Sequence, residues 1–572
     1  MSLSAAGARS PAQTAAVLLR WLPLVFLAVF FLLPLGNIFR MAVPAAPPPG
    51  SPLQDWWPGA RPPPGVASRP LGFTFYQAAL STLLTLAAGL PAAYLFGRFR
   101  FPGRRLLRIL ATLPFILPTV VVAAGFNALL GPRGWANLGL MSLLHLDQPP
   151  IQFLNTFGAI LTAHVFYNLS VVMRVVGNAW ESLDPRLEQA ARSLGASAWR
   201  TFWQVNLPLL RPAMLGAATL VFLFDFTSFG VILLLGGPRY ATLEVEIYIQ
   251  ALQLLNLPLA GLLSALQLGC TLLLTLISGR IGPGQVVPLA PRVKSEGLRA
   301  PRGFRQAFST GALVVGLALF TLAPLGALAL RSVTRLEADR GQRGAVQTGL
   351  TLDYYRELFV NRRGSLFYVP PAAAARNSLL YGFATICISL GMGFPAAYAL
   401  NRAGTRRRWL DALLMLPLGT SAVTLGLGYV VTFNQPPLDV RSFPLLIPIA
   451  HSLVALPFVV RTLQPAIASI PLSMRQAAQV LGASPGRAWL SVDLPILSRA
   501  VLVGAVFAFT ISLGEFGATS LLARPEFPTL PVAIFRFISQ PGALNYGQAM
   551  AMSTVLMLVC GLSLLLIEKL AV

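Results

Sequence analysis

Charge is what this sequence has least of. Only 11% of its 572 residues are Asp, Glu, Lys or Arg, against about 25% in ordinary soluble domains. Acids are scarcer than bases: 19 Asp and Glu stand against 43 Lys and Arg, leaving a formal charge of +24. There are three cysteines. Cys270, Cys387 and Cys560 lie far apart inside apolar runs with no CxxC spacing, which supports neither a disulfide framework nor a metal site. No G-x-x-x-x-G-K-[ST] phosphate cradle occurs, so the chain is not expected to bind ATP itself.

Apolar residues are abundant. They make up 55% of the chain, and the mean hydropathy is +0.68. Disorder demands the opposite composition, and a single soluble core does not need so much apolar surface. A membrane span takes ~20 mostly apolar residues. Twelve such runs are read, at approximately 20–39, 73–97, 109–130, 156–177, 212–236, 258–279, 309–330, 376–400, 410–433, 444–462, 500–523 and 546–567. In lipid each must satisfy its own backbone groups, so all are expected to be helices. The fold class is therefore all-α: a polytopic membrane protein of about twelve transmembrane helices. Pro91, Pro114, Pro118, Pro395, Pro417 and Pro457 fall within or beside these runs and are read as ordinary packed bends.

In a soluble protein a charge of +24 would suggest nucleic acid. Here the bases sit in loops between apolar runs, the positive-inside pattern, and no nucleic-acid partner is expected. Arg98, Arg100, Arg104, Arg105 and Arg108 form one such loop; Arg186, Arg192 and Arg200 another; Arg292, Lys294, Arg299, Arg302 and Arg305 a third; Arg402, Arg406, Arg407 and Arg408 a fourth. These loops are placed in the cytoplasm. Residues 41–72 and 331–375 are read as long external loops, although the second carries seven arginines. The first run, Trp21 to Phe39, exceeds the 7–15-residue core of a signal peptide and is read as an uncleaved anchor.

The chain repeats itself. Residues 147–150 read DQPP and 434–437 read NQPP, an offset of 287. The same offset relates His164 to His451, Arg174 to Arg461, Gly195 to Gly482, Pro208 to Pro495, Phe229-Gly230 to Phe516-Gly517, and Thr242-Leu243 to Thr529-Leu530. Upstream, Pro91-Ala92-Ala93-Tyr94 matches Pro395-Ala396-Ala397-Tyr398 at an offset of 304. The first half therefore holds a net seventeen-residue insertion, expected within 131–155. Two parallel repeats of six spans each follow, related by a pseudo-two-fold axis along the membrane normal.

The strongest repeat lies in a cytoplasmic loop. Residues 184–213 read DPRLEQAARSLGASAWRTFWQVNLPLLRPA, and 471–500 read PLSMRQAAQVLGASPGRAWLSVDLPILSRA. Asp184-Pro185 is a helix start. Leu187, Ala190, Ala191 and Leu194 then fall on one helical stripe, reproduced by Met474, Ala477, Ala478 and Leu481. Gly195 and Gly482 suit a left-handed helix end. Ser197 and Ser484 can cap a second short helix.

These residues resemble the coupling loop, or EAA motif, of bacterial ABC importer permeases, E-A-A-x3-G-x9-I-x-L-P. Copy one supplies Gln189-Ala190-Ala191, Gly195, Val205, Leu207 and Pro208; copy two supplies Gln476-Ala477-Ala478, Gly482, Val492, Leu494 and Pro495. Both depart at the acidic position, which is Gln. Two fused permease halves in one chain look most like the ferric-iron and thiamine importer permeases. Ser228-Phe229-Gly230 and Gly514-Glu515-Phe516-Gly517 also resemble that group. The resemblance implies four units: an N-terminal anchor and Pro-rich external loop (1–70), a first permease domain (71–280), a linker with the seventh span and an external loop (281–373), and a second permease domain (374–572). It implies a multi-pass protein of the bacterial inner membrane that is not an enzyme. Two copies of an ATP-binding subunit would grip the two loops and hydrolyse ATP. A periplasmic or surface-anchored binding protein would deliver substrate, with membrane lipid around the spans and no cofactor on this chain. Ferric iron is the expected substrate, with thiamine or another small solute as the alternative.

Asp225 and Glu515 lie in the fifth span of each half, at non-equivalent positions: Asp225 aligns with Ser512, and Glu515 with Ser228. Intramembrane carboxylates are candidates for a translocation path, with a polar face meeting the other half as the alternative. His164 and His451 are equivalent, but each lacks a nearby ligand partner in sequence. No metal site is expected, and helix-packing hydrogen bonds are the preferred reading. Arg174 and Arg461 are read as snorkelling to the interface. The alternative class, an ion-coupled secondary transporter, would explain two six-span repeats but gives no role to twin coupling loops.

Overall fold

The computed structural model describes residues 21–42, 67–281, 298–301, 303–336, 349–360, 370–402, 407–436, 438–439 and 443–571. The architecture is all-α. Among the described residues ten helices are long and apolar enough to cross a membrane, and up to twelve if two bent pairs each count as one span.

The lead helix α1 (Trp21–Ala42) precedes α2 (Ser68–Arg98), α3 (Arg104–Ile116), α4 (Thr119–Leu130), α5 (Trp135–Leu144), α6 (Phe157–Ser182) and the short α7 (Pro185–Ser193). The span α8 (Ala198–Phe226) follows, then α9 (Gly230–Leu235), α10 (Leu243–Tyr248) and α11 (Leu257–Ile281). The second half repeats the order: α12 (Gly303–Ser332), α13 (Pro371–Arg402), α14 (Arg407–Met415), α15 (Ala422–Thr432), α16 (Leu446–Ala468) and α17 (Leu472–Val480). It closes with α18 (Pro485–Gly514), α19 (Gly517–Leu522), α20 (Leu530–Ser539) and α21 (Ala543–Ala571). The net insertion expected within 131–155 corresponds to α5, where the described residues of the second half form a short hairpin, Asn434–Gln435 with Leu438–Asp439.

Four of the expected spans are not continuous. The run 109–130 turns by 110° between α3 and the helical stretch that begins at Thr119. Leu117 is extended (φ −69°, ψ 141°) ahead of Pro118, because a proline ring disfavours helical geometry in the residue before it. The run 410–433 turns by 93° at Thr420, which is extended. Ser421 then caps α15 by accepting from the Thr424 amide at 3.2 Å. The run 212–236 breaks after Phe226, and 500–523 breaks after Gly514.

The halves exchange their lead helices. α12 packs on α4 of the first half, and α1 packs on α15 of the second. A glycine permits each crossing. A Cβ on Gly125 would stand 3.0 Å from the Pro324 carbonyl oxygen, and one on Gly428 would stand 3.0 Å from the Pro34 ring. Close backbone approach replaces the hydrophobic effect as the source of helix association in lipid. Asn37 donates to Thr432 across the same junction at 3.0 Å. Arg174 and Arg461 do not merely snorkel. Arg174 pairs with Glu568 at 2.9 Å and Arg461 with Asp411 at 3.0 Å, each joining its span to another.

Candidate functional site

Both loop elements fold as helix, turn, helix. Asp184 accepts from the Arg186 amide at 2.9 Å and opens α7. The helix ends with Gly195 at φ +84° and its counterpart ends with Gly482 at φ +80°. The Gly195 amide reaches the Arg192 carbonyl at 2.9 Å, and the Ala196 amide reaches Ala191 at 3.0 Å. Gly482 to Gln479 and Ala483 to Ala478 repeat both bonds at 2.9 and 3.0 Å. This is the Schellman arrangement, which satisfies carbonyls left open at a helix end. Ser197 and Ser484 accept from the Arg200 and Arg487 amides, at 3.2 and 3.4 Å.

The turns leave apolar side chains outside. Leu194 is 89% exposed and Leu481 87%. Gln189, Ala190, Gln476 and Ala477 are exposed, and Ala191 and Ala478 are partly covered. Leu207 and Leu494 are half-buried where α8 and α18 leave the loops, beside exposed Pro208 and Pro495. Large apolar side chains facing outward on a capped, rigid turn are suited to a protein partner.

The neighbours of these residues fix the loops to the bundle, and sequence reasoning passed over them. Glu188 is buried. Its Oε1 accepts from Arg98 at 2.7 Å and from Asn206 at 2.9 Å. Arg475, 287 residues on, donates to Asp493 at 2.8 Å, and Asp493 is the counterpart of Asn206. The Tyr398 hydroxyl also donates to Asp493 at 2.9 Å and accepts from the Trp489 indole at 3.2 Å. The Asp493 hydrogen bond raises the Arg475 pKa above its ordinary value. The two loops carry the same lock with the charges exchanged. Comparing the copies for identity hides it, because no residue type is shared.

The buried acids show a second exchange. In the first half His164 Nδ1 lies 3.0 Å from Ser81 Oγ and 3.5 Å from Asp225 Oδ1, while its Nε2 lies 2.9 Å from Ser228 Oγ. Asn168 donates to Asp225 at 2.7 Å. In the second half His451 Nδ1 lies 2.8 Å from Ser512 Oγ, and its Nε2 lies 3.2 Å from Glu515 Oε2. Each histidine thus meets the same two positions, with acid and hydroxyl exchanged: Asp225 and Ser228 in one half, Ser512 and Glu515 in the other. The histidines make the helix-packing bonds expected of them. Both carboxylates are buried and engaged by their own half; Glu515 also accepts from the Ala518 and Thr519 amides at 2.7 and 3.0 Å. Among the described residues no three of His, Cys, Asp and Glu gather to hold a metal ion. A further buried acid, Glu244, joins the halves: it accepts from Gln267 at 3.0 Å and from Ser421 of the second half.

Two loops, two histidine networks and two bent spans, one of each in either half, mark the chain as a duplicated membrane protein with paired cytoplasmic turns. The chain belongs to the family described as binding-protein-dependent transport system inner membrane component, whose model matches residues 89–282 and 372–571. It is an ABC importer permease, a multi-pass protein of the bacterial inner membrane, and not an enzyme. It is 29% identical to the thiamine transport system permease protein ThiP of Salmonella typhimurium, over 87% of this chain and 88% of that one. The ThiP of Escherichia coli is likewise 29% identical, with the same coverage of both chains. Among solved structures, a chain of a bacterial alginate ABC transporter in complex with an alginate pentasaccharide-bound periplasmic protein aligns at TM-score 0.39 and 20% identity, over 47% of this chain and 93% of that one.

Proposed function

We propose that this chain is the whole membrane path of an ATP-driven, binding-protein-dependent importer for thiamine or a closely similar heteroaromatic cation. The observation that carries the transport reading is the duplicated loop. Two capped turns, each ended by a glycine in the left-handed region and each presenting an exposed leucine, offer like docking faces to two copies of one ATP-binding subunit. Gln189-Ala190-Ala191, Gly195 and Leu207-Pro208 carry the first face. Gln476-Ala477-Ala478, Gly482 and Leu494-Pro495 carry the second. ATP-driven closure of the subunits would swing both turns together. The locks at Glu188 and Arg475 would pass that movement to α8 and α18.

Thiamine, expected from sequence only as the alternative to ferric iron, is preferred because the relatives that carry that name cover 87% of this chain. The test is reconstitution of the chain with its ATP-binding subunit and binding protein in proteoliposomes. Labelled thiamine should accumulate on addition of ATP, and ferric iron should not. Accumulation of ferric iron alone would reverse the substrate assignment. Failure of the ATP-binding subunit to co-purify would overturn the coupling assignment.

A further inference from the structure

Phe229 and Phe516 are equivalent in the repeat, and they touch. Their rings stack with centroids 5.5 Å apart and planes 23° apart. When equivalent residues of two like halves meet, the axis relating the halves passes between them. A second ring backs each one: Tyr248 lies 5.3 Å from Phe229, and Phe535 lies 5.4 Å from Phe516. Tyr248 and Phe535 are themselves 287 residues apart. Four rings therefore cross the axis in symmetric order. Phe229 is 7% exposed and Phe516 3%, so the two central rings are closed off from solvent.

The interruptions of the bundle gather at this layer. Phe229 and Phe516 sit on the unwound links that follow α8 and α18. A Cβ on Gly230 would meet Thr119, the first residue of α4, and would come within 3.2 Å of the Phe516 ring; one on Gly517 would stand 3.0 Å from Ala422, the first residue of α15. Each link thus abuts the start of the bent helix in its own half, and Gly230 also faces the Phe516 ring of the other link. Non-helical backbone at membrane depth is tolerated only where it is buried in protein or lines a cavity. A link between helices can also shift by a few backbone rotations without unwinding a span.

We propose that Phe229 and Phe516 form the closed constriction of the translocation path, and that the parted rings, backed by Tyr248 and Phe535, receive a flat aromatic cation face to face. This rests on the reading of the chain as an importer of such a solute. In a permease of two like halves the substrate route lies at the interface of the repeats, and these rings fill the axis of that interface. Their faces carry negative quadrupole, which suits a planar cation. Glu515, next in sequence to Phe516, is already occupied: it caps α19 through the Ala518 and Thr519 amides. The ring faces offer the recognition of positive charge that Glu515 does not.

The test uses the complete complex in proteoliposomes and three readouts. F229A/F516A should leak trapped glucose without ATP, several-fold faster than wild type. F229L/F516L should stay sealed but lose about tenfold in ATP-driven thiamine transport, the scale of a desolvated cation–π contact; F229Y/F516Y should regain it. With the native cysteines replaced, F229C should react faster with a thiol reagent once the ATP-bound state is trapped with vanadate. A tight alanine pair together with an unchanged F229C rate would place the constriction elsewhere. Wild-type thiamine transport by the leucine pair would overturn the ring contact. A wild-type complex that moves no thiamine would sink the substrate reading instead, while leak and labelling would still judge the constriction.

Discussion

Glu188 and Arg475 hold equivalent places in the two loops and make the same bond with opposite sign. Glu188 accepts from Asn206 at 2.9 Å, and Arg475 donates to Asp493 at 2.8 Å. Each ties its loop helix to the first turns of the following span. The pairing makes a directional prediction. Arg475→Glu alone sets two carboxylates against each other and removes a charged hydrogen bond, at a cost of about 2 kcal/mol. Adding Asp493→Asn recreates the pairing of the first loop and should restore most of the loss. Co-purification of the ATP-binding subunit, with uptake measured beside it, would check this. A double variant no better than the single one would mean that the lock does not position the loop.

The turn glycines should matter through backbone alone. At Gly195 and Gly482 an added Cβ meets nothing within 4 Å, so substitution creates no clash, only strain at positive φ. That strain is roughly 1–2 kcal/mol for an ordinary residue, and more for a β-branched one, which is an outlier there. Valine should therefore weaken subunit association and uptake more than alanine, and asparagine, which tolerates this region, should be mildest. The double valine variant should be worst while its spans still insert. Equal effects of valine and asparagine would show that the conformation of the turn is unimportant.

The spans and loop caps were legible because their causes are local. Lipid demands long apolar runs, a helix start wants Asp184 or Ser197, and a helix end in the left-handed region wants glycine. The bends were half-legible: Pro118 marks one of them, but nothing as plain marks Thr420. The exchange of lead helices was not legible. A lipid-facing helix is apolar all round, so periodicity does not say which neighbour it meets; Gly125 and Gly428 are explained only once Pro324 and Pro34 lie against them. The mismatch of Asp225 with Glu515 obscured the histidine networks for a related reason. The shared feature is a histidine that meets two positions, and the acid is free to occupy either.

If the buried acids serve packing, their loss should show in stability. Asp225→Leu leaves the Asn168 amide without its acceptor at 2.7 Å and deprives His164 of a neighbour. A buried polar group left unpaired costs about 1–3 kcal/mol. Asp225→Asn, which keeps an acceptor oxygen, should be milder. Glu515→Leu should be the more severe of the two leucine variants, because two backbone amides of α19 lose their cap as well. Thermal unfolding of the purified chain in detergent would rank these variants. Full stability combined with lost uptake would instead favour a place for these carboxylates on the translocation path.

The energy source separates an ABC importer from a carrier that uses ion gradients. The intramembrane carboxylates Asp225 and Glu515 are held by neighbours of their own half, Asp225 by the Asn168 amide and Glu515 by the Ala518 and Thr519 amides, and a carrier would have to release one of them at each turnover. The chain also lacks the phosphate cradle that ATP hydrolysis requires. Purified alone it should show no ATPase activity, and mixing it with its ATP-binding subunit should produce activity that rises further when loaded binding protein is added. Cells in which a protonophore has collapsed the proton gradient should continue uptake for as long as ATP is maintained. Arsenate, which depletes ATP while leaving the gradient in place, should stop it. The opposite pair of responses, arrest by the protonophore and persistence under arsenate, would show that this chain is driven by ions despite its two coupling loops.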